Sequence, residues 1–361
     1  MSRRRFRKAL LALLCLLPSP LAARSDPAIG INVHAPEKER LDGLLDRVAE
    51  AGIGWVRIDF VWAEVEPEPG VTRWRLYDDL VAAARARDLQ VLALIGYTPA
   101  WATDGPAISG TPRKVSDWTD FCYRAAARYA GSIDHWEVWN EPNLTRFWSG
   151  GREAFVEKIL IPAATAVRAA NPHAQVGGPA LAHHVAQGRD WPGWLLDVLT
   201  AAGDDLDFLT HHAYDVDDPA GVLARLEGTT PYGDDPSRWS VVPPSLREVL
   251  AVAGFHRPVW LTETGWPSTR LDESRQAAAY SRFLELWRGS RSSPPWPERV
   301  FFYELQDDAD PDVPKWGLLR SGGRPKPAYR ALRDWIGAAA GPGEEEPPQP
   351  PRSRPKSIDP D

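Results

Sequence analysis

The stretch HWEVWNEPN, residues 135–143, has the pattern of a short strand that ends abruptly. Apolar and polar residues alternate up to Trp139, as they do in a strand with one buried face. Glu141 then follows Asn140, and Pro142 interrupts the pattern at once. A glutamate at a strand end is often only a cap or salt-bridge residue, but it can also be delivered there for chemistry. The remaining sequence has to decide between these two interpretations.

Seven other short apolar runs alternate with stretches of helical period along the chain. The predicted strands are residues 28–34, 55–60, 91–97, 135–140, 175–180, 208–214, 259–265 and 300–305. The predicted helices are residues 40–52, 75–88, 117–131, 153–172, 191–203, 244–254, 272–289 and 326–337. Eight strand–helix units predict an α/β fold, a (β/α)8 TIM barrel, as a single domain over residues 26–337. A doubly wound open sheet is the alternative, although no G-x-G-x-x-G follows the first strand, which argues against its nucleotide-binding version.

The two ends of the chain differ in composition from this domain. Residues 1–25 have a basic start and an apolar run, Ala9 to Leu17, that is too short to span a membrane. They predict a signal peptide of the Sec or twin-arginine type, and hence an exported protein, periplasmic or extracellular. Residues 338–361 are rich in proline and charge and lack apolar periodicity, which predicts a disordered tail.

Charge and cysteine content exclude some classes of function. Loss of the basic start of the predicted signal peptide, Arg3, Arg4, Arg5, Arg7 and Lys8, takes away five positive charges and changes the formal net charge from −7 to −12. No basic stripe remains that could meet a phosphate backbone, so we expect no nucleic-acid partner. Cys122 is the only cysteine after the signal peptide, which leaves no cysteine cluster for a metal; we expect a buried, inert thiol.

In an eight-stranded barrel the active site lies at the C-terminal ends of the strands. The polar residues at the predicted strand ends are His34, Arg57 or Asp59, Tyr97, Asn140, Glu141, His212, Tyr214, Glu263, Glu304 and Gln306. Glu141 and Glu263 lie 122 residues apart, on strands four and seven, and so on roughly opposite sides of the barrel mouth. Glycoside hydrolysis needs such a pair, one carboxyl as acid and one as nucleophile or base. Glutamates that reach inward from two sides fit the short separation of retaining enzymes, about 5–5.5 Å.

Three segments resemble a known group of enzymes. WNEPN (139–143), HHAY (211–214) and WLTETGWP (260–267) are similar to the signature of retaining β-glycosidases built on (β/α)8 barrels, closest to family-39-like and family-5-like members. The resemblance extends from Ala28 to Trp335. The segments GYTPAW (96–101) and FYELQDD (302–308) depart from the family-5 pattern and favour family 39.

The resemblance implies a role for each matching residue. Glu141 would be the acid/base, Glu263 the nucleophile, and Asn140 a ligand of the sugar 2-hydroxyl. Arg57 would support the nucleophile; His212 and Tyr214 would line the site. The implied substrate is a β-linked oligo- or polysaccharide, cleaved without a cofactor.

These roles set opposite requirements for the two glutamates. Glu263 has to stay ionised, and Arg57 with a tyrosine hydroxyl would lower its pKa. Glu141 has to hold a proton near neutral pH, so we expect an apolar wall and the charge of its partner to raise its pKa.

Tryptophans just beyond the strand ends are candidates for stacking on sugar rings. We expect sugar contacts from Trp101 and Trp266 before Trp62 and Trp316. Adjacent histidines on a strand point to opposite faces, so His211 and His212 are not expected to chelate one ion, and we predict no metal. Two other functions stay open, a barrel that binds polysaccharide without cleaving it and a metal-dependent barrel hydrolase. The oligomeric state is also open.

Overall fold

The computed structural model describes residues 25–34, 38–183, 190–228, 235–239, 242–290 and 296–339. The predicted signal peptide, apart from Ser25, and the predicted tail beyond Ala339 lie outside these residues. Export and the character of the tail therefore stay predictions.

Within the described residues, eight parallel strands form a closed barrel in sequence order. They are β1 (Asp26–Asn32), β2 (Ile53–Val61), β3 (Gln90–Gly96), β4 (His135–Val138), β5 (Gln175–Ala182), β6 (Phe208–His212), β7 (Val259–Thr264) and β8 (Arg299–Phe302). Pairing of β1 with β8 closes the sheet, which confirms the predicted barrel and excludes the open doubly wound sheet. The register shifts where β6 pairs with β7, and again where β7 pairs with β8.

Helices follow the strands and cover the outside of the barrel. They are α1 (Lys38–Glu50), α2 (Trp62–Val65), α3 (Arg75–Arg85), α4 (Val115–Arg128), α5 (Gly151–Phe155), α6 (Ile161–Ala170), α7 (Trp191–Ala202), α8 (Pro219–Glu227), α9 (Leu246–Ala253), α10 (Ser268–Ser290) and α11 (Pro327–Ala339). The eight predicted helices are all present; the one predicted at 153–172 is α5 and α6, joined by a π-helical turn at Val156–Leu160. None of the described helices combines the length and apolar character needed to cross a membrane.

Two aromatic-rich cores hold the barrel together. The larger one lies between the strands and the helices, and it includes Cys122 of α4, whose thiol has its pKa raised by burial. The smaller one fills the bottom of the barrel and consists of Trp55, Leu92, Phe208, Trp260 and Phe301. Gly30 makes room for it, because a Cβ there would lie 2.2 Å from the Phe301 ring. This aromatic floor leaves only the upper part of the barrel open to substrate.

Candidate active site

The inward side chains of β2 show how the barrel interior changes from floor to mouth. Residues 55, 57 and 59 share one face of the strand. Trp55 belongs to the floor, Arg57 is buried above it, and Asp59 lines a cleft of about 890 Å³ at the C-terminal ends of the strands. The polar strand-end residues therefore meet where the barrel rule places an active site.

The chain turns sharply at the end of β4. Trp139 and Glu141 have φ values of +70° and +41°, a left-handed conformation that costs about 1–3 kcal/mol for a non-glycine residue. The Trp139 indole donates a hydrogen bond to the Phe147 carbonyl (2.9 Å), and the Glu141 amide donates to the Ala180 carbonyl (3.1 Å). These bonds fix the turn, which directs the Glu141 side chain into the cleft.

Glu141 and Glu263 converge in the cleft, with His212 beside them. One carboxylate oxygen of each glutamate and one ring nitrogen of His212 all lie within 4.8 Å of one another. This spacing fits the short separation of a retaining pair and leaves too little room for the intervening water of an inverting enzyme.

Glu263 is held by two donors that the sequence predicted. Arg57 Nη1 lies 2.8 Å from Oε1, and the Tyr214 hydroxyl donates to Oε2 at 2.8 Å. Burial, followed by the charge of Glu263, raises the pKa of Tyr214 well above its usual value, so the hydroxyl keeps its proton. Both donors fix the position of the Glu263 carboxylate in the cleft.

Arg57 also binds three other groups through the remaining donors of its guanidinium. Nε donates to Glu137 at 2.5 Å, Nη1 to Asn32 Oδ1 at 2.7 Å, and Nη2 to Asn140 Oδ1 at 3.1 Å. Because arginine only donates, the Asn140 oxygen must face it, and the Asn140 NH2 group is left for the cleft. Glu137 is fully buried and was missed by the sequence analysis, where it looked like an ordinary polar position of an alternating strand.

The surroundings of Glu141 differ from those we expected. His212 Nδ1 lies 3.1 Å from Oε1, and Arg146 Nη2 lies 3.1 Å from Oε2. Burial raises the pKa of Glu141, but the His212 and Arg146 contacts outweigh it, so the pKa lies below its ordinary value. The expectation of a raised pKa is wrong for the unliganded site, because the glutamate has charged neighbours in place of an apolar wall.

His212 lies behind the two glutamates and does not line the cleft. It is fully buried, and its Nδ1 is also 3.5 Å from Glu263 Oε2. Burial lowers the pKa of His212, but the two carboxylates overcome this and raise it. His211 points to the opposite face, as predicted, and contacts His183 at 3.1 Å.

The two tryptophans that we expected to bind sugar lie elsewhere. Trp266 is fully buried in the larger core and donates to the Asp215 carbonyl at 2.8 Å. Trp101 packs against the same core and donates to the Glu66 carbonyl at 2.7 Å. The prediction is wrong for Trp266, which has no exposed surface, whereas Trp101 is partly buried and is not among the residues that line the cleft. Trp316 lines the cleft instead, 5.3 Å from the Tyr214 ring.

Other strand-end residues line the cleft without a role from the sequence analysis. They are His34, Asp59 and Tyr97. The polar residues selected at the predicted strand ends included all three, but the resemblance gave none of them a role. Arg146 and Phe147, which follow β4, carried no such signal.

Comparisons with known proteins agree with this geometry. A sequence profile of the glycosyl hydrolases family 39 matches residues 108–238. A beta-xylosidase from Caldicellulosiruptor saccharolyticus is 28% identical over 238 residues, which cover 62% of this chain and 46% of that protein. A beta-xylosidase from Geobacillus stearothermophilus is 32% identical over 113 residues, or 28% of this chain and 21% of that protein. The chain thus matches less than half the length of each of these two relatives.

The fold comparison agrees with the sequence comparison. A family 39 glycoside hydrolase from Bacteroides cellulosilyticus WH2 superimposes with a TM-score of 0.65 and 24% identity, covering 90% of this chain and 66% of that one. This chain is similar to the family 39 glycoside hydrolases. The predicted resemblance is confirmed, and a GH5_18 enzyme from Streptomyces cattleya shares the fold (TM-score 0.64, 22% identity, 89% and 82% covered).

The family 39 match covers only part of the site. Residues 108–238 contain Asn140, Glu141, His212 and Tyr214, whereas Arg57 and Glu263 lie outside. Arg57 and Glu263 are tied to the site by their own contacts, the 2.8 Å bond between them and the 2.8 Å bond from Tyr214 to Glu263.

Proposed function

We propose that this protein is a retaining β-glycosidase that cleaves O-glycosidic bonds in β-linked oligo- or polysaccharides without a metal. The observation that carries the proposal is the pair Glu141 and Glu263, whose oxygens lie within 4.8 Å and whose surroundings differ. Arg57 and Tyr214 each donate a hydrogen bond to Glu263 and so orient its carboxylate for the proposed attack. The names of the two relatives make β-xylosides the first substrates to test.

In the first step the Glu263 carboxylate attacks the anomeric carbon and the bond to the leaving-group oxygen breaks. Glu141 gives its proton to that oxygen, and a glycosyl ester on Glu263 results. In the second step Glu141 takes a proton from water, the water oxygen attacks the anomeric carbon, and the ester bond breaks. Two inversions give net retention of configuration.

The Asn140 amide and the aromatic residues of the cleft support substrate binding in this scheme. The NH2 group of Asn140 is free to donate to a sugar hydroxyl, because Arg57 occupies its oxygen. Tyr303 and Trp316 present rings to the same cleft, where they can pack on the apolar faces of sugars.

Metal-dependent hydrolysis is the second candidate, because Glu141, His212 and Glu263 have a spacing that could hold an ion. Two contacts disfavour it. The guanidinium groups of Arg57 and Arg146 already lie 2.8 Å and 3.1 Å from the two carboxylates, where they would repel a divalent cation.

The test is a panel of 4-nitrophenyl β-glycosides and β-linked polysaccharides, assayed with wild type, Glu263→Ala and Glu141→Ala. We expect Glu263→Ala to lower kcat by at least about 10³-fold. Glu50→Ala is the control, since Glu50 is exposed on α1 and pairs with Arg47. Hydrolysis that survives Glu263→Ala would refute the mechanism. A product with inverted anomeric configuration, seen by NMR, would refute retention. Tight polysaccharide binding without turnover would support the alternative of a barrel that binds polysaccharide without cleaving it.

We also propose that the protein is exported, from the composition of residues 1–25. N-terminal sequencing of the protein recovered from the periplasm or medium tests this. Full-length protein confined to the cytoplasm would contradict it.

A further inference from the structure

Asp59 is a carboxyl group of the cleft that the proposed mechanism does not use. It lies on the inward face of β2, two residues after Arg57, and lines the cleft. It has no hydrogen bond with any described residue, and the charges of Arg57, His34, Glu263 and Glu137 act on it. A carboxylate held at such a place without donors is costly unless a ligand supplies them.

Arg57 lies two residues before Asp59 on the same strand, but it donates no hydrogen bond to the Asp59 carboxylate. Its Nε–H goes to Glu137, and the two protons of Nη1 go to Asn32 and Glu263. One proton of Nη2 goes to Asn140. Burial raises the pKa of Asp59 in spite of the positive charge nearby.

The neighbours of Asp59 in the cleft are polar and suited to sugar hydroxyls. Tyr97 lines the same wall, and its hydroxyl also has no hydrogen bond with a described residue. The His34 side chain is 54% exposed and contacts Glu304 through Nε2 at 3.1 Å. The ends of β1, β2 and β3 form this wall, and its cationic groups Arg57 and His34 are already paired with Glu263 and Glu304.

We propose that Asp59 determines which sugar the cleft accepts on the side that is transferred to Glu263, by accepting hydrogen bonds from hydroxyl or amino groups of that sugar and excluding sugars that carry a carboxylate. The inference rests on the proposed glycosidase function and deepens it. It narrows the glycone to a neutral or amino sugar.

The preference for neutral or amino sugars follows from the negative charge of Asp59. An ionised carboxyl group only accepts hydrogen bonds, so its ligand must donate, as the hydroxyls of a neutral sugar do. An ammonium group would add an attractive charge. A uronate would bring a third negative charge beside Asp59 and Glu263, and like charges in a partly buried cleft repel strongly.

The test compares wild type, Asp59→Asn and Asp59→Ala on 4-nitrophenyl β-glycosides that share one leaving group. The set contains the best neutral sugar of the panel, its deoxy analogues at each ring position, its amino analogue and the corresponding uronate. We expect one deoxy analogue to lose roughly 10- to 100-fold in kcat/KM with wild type, the range of a hydrogen bond to a charged group. In Asp59→Ala that penalty should shrink at least about tenfold, while the penalties at other positions stay.

The ratio of uronate to neutral-sugar kcat/KM should rise at least about tenfold in both variants, because a negative charge is removed. The proposal would be overturned if wild type and the Asp59 variants lost equal factors in kcat/KM on every deoxy analogue and had the same ratio of uronate to neutral-sugar kcat/KM. Asp46→Asn, a surface carboxylate on α1 that pairs with Arg87, is the control and should change neither ratio. If Asp59→Ala does not fold, the near-isosteric Asp59→Asn carries the test, with thermal unfolding as a check.

Failure of this inference is distinguishable from failure of the proposed function. If wild type cleaves no glycoside, binding of the free neutral, amino and acidic sugars can still be measured by calorimetry with wild type and Asp59→Asn. Binding of the acidic sugar as tight as that of the neutral one to wild type would overturn the role of Asp59 alone.

Discussion

Replacing Arg146 by glutamine tests how the site sets the protonation of Glu141. Arg146 Nη2 lies 3.1 Å from Glu141 Oε2, and the arginine side chain is 65% exposed whereas that of the glutamate is 8% exposed. The arginine therefore stabilises the ionised form of a residue that has to be protonated at the start of the proposed reaction.

The size of this effect follows from distance and exposure. Two unit charges at 4 Å interact by about 1 kcal/mol in water and by about 4 kcal/mol at an effective dielectric constant of 20. Because Arg146 is mostly exposed, solvent screening keeps the value near the lower figure, in line with about 0.2–1 kcal/mol measured for exposed pairs. We take about 1 kcal/mol, which corresponds to a factor of about five in an equilibrium constant.

The assay is the pH dependence of kcat/KM on a glycoside with a poor leaving group. Its basic limb reports loss of the proton from the acid of the free enzyme, here Glu141. Arg146 helps to hold the pKa of Glu141 below its usual range, so its removal should raise that pKa and move the basic limb to higher pH. On that limb the variant should gain up to about fivefold in kcat/KM relative to its own maximum.

Two variants separate charge from structure in this experiment. Arg146→Lys keeps the charge and should leave the limb close to that of wild type. Arg152→Gln removes an arginine that pairs with Asp190 and Asp197 outside the cleft, and should also leave the limb in place. An unchanged basic limb in Arg146→Gln, or one moved to lower pH, would refute the reasoning.

Four further predictions concern Tyr214, Gly30, Gly43 and the absence of a metal requirement. Tyr214→Phe removes the 2.8 Å hydrogen bond to Glu263, and kcat/KM should fall roughly 10- to 100-fold in steady-state assays, whereas unchanged kinetics would contradict this. Gly30→Ala should cost about 1–3 kcal/mol in denaturant unfolding, because its Cβ would meet the packed Phe301 ring. Gly43→Ala, on α1 with nothing within 4 Å of a Cβ, should instead stabilise by about 0.4–1 kcal/mol. Prolonged treatment with a chelator should leave glycosidase activity unchanged, and loss of activity that Zn²⁺ restores would favour the metal-dependent alternative.

The fold was predictable because its signal is local and repeated. Each strand is a short apolar run and each helix has its own period, so the eight units could be counted without knowledge of distant contacts. The position of Glu141 and Glu263 followed from the same count, since closure of the barrel brings all C-terminal strand ends together.

The wrong predictions concern side chains whose direction depends on irregular backbone. Trp266 comes two residues after β7, where the register with both neighbouring strands shifts, so strand alternation no longer tells which way its ring points. Trp316 comes from the loop after β8 and reaches the cleft through ring contacts with Tyr214 and Tyr303. Such long-range contacts leave no pattern in the local sequence.

The pairing of buried charges was also outside the reach of the sequence. Glu137 lies in the alternating part of HWEVWNEPN, and its partner Arg57 is 80 residues away in the chain. An alternating pattern indicates which residues of a strand lie on the same face. It does not indicate that a charged residue on that face points into the barrel and pairs with a distant residue. Glu137 is thus a second glutamate of this stretch that belongs to the site, because it binds Arg57, which in turn binds Glu263.

The contacts of Glu141 favour one half of the proposed cycle. His212 and Arg146 both stabilise its carboxylate form, which is the form needed to take a proton from water in the second step. The first step needs the acid form, and the charge of Glu263 within 4.8 Å is the group that favours it. Once Glu263 is esterified that charge is gone, and His212 loses its second carboxylate partner at 3.5 Å. The imidazole can then serve Glu141 alone, which strengthens the preference of Glu141 for the carboxylate form that the second step needs.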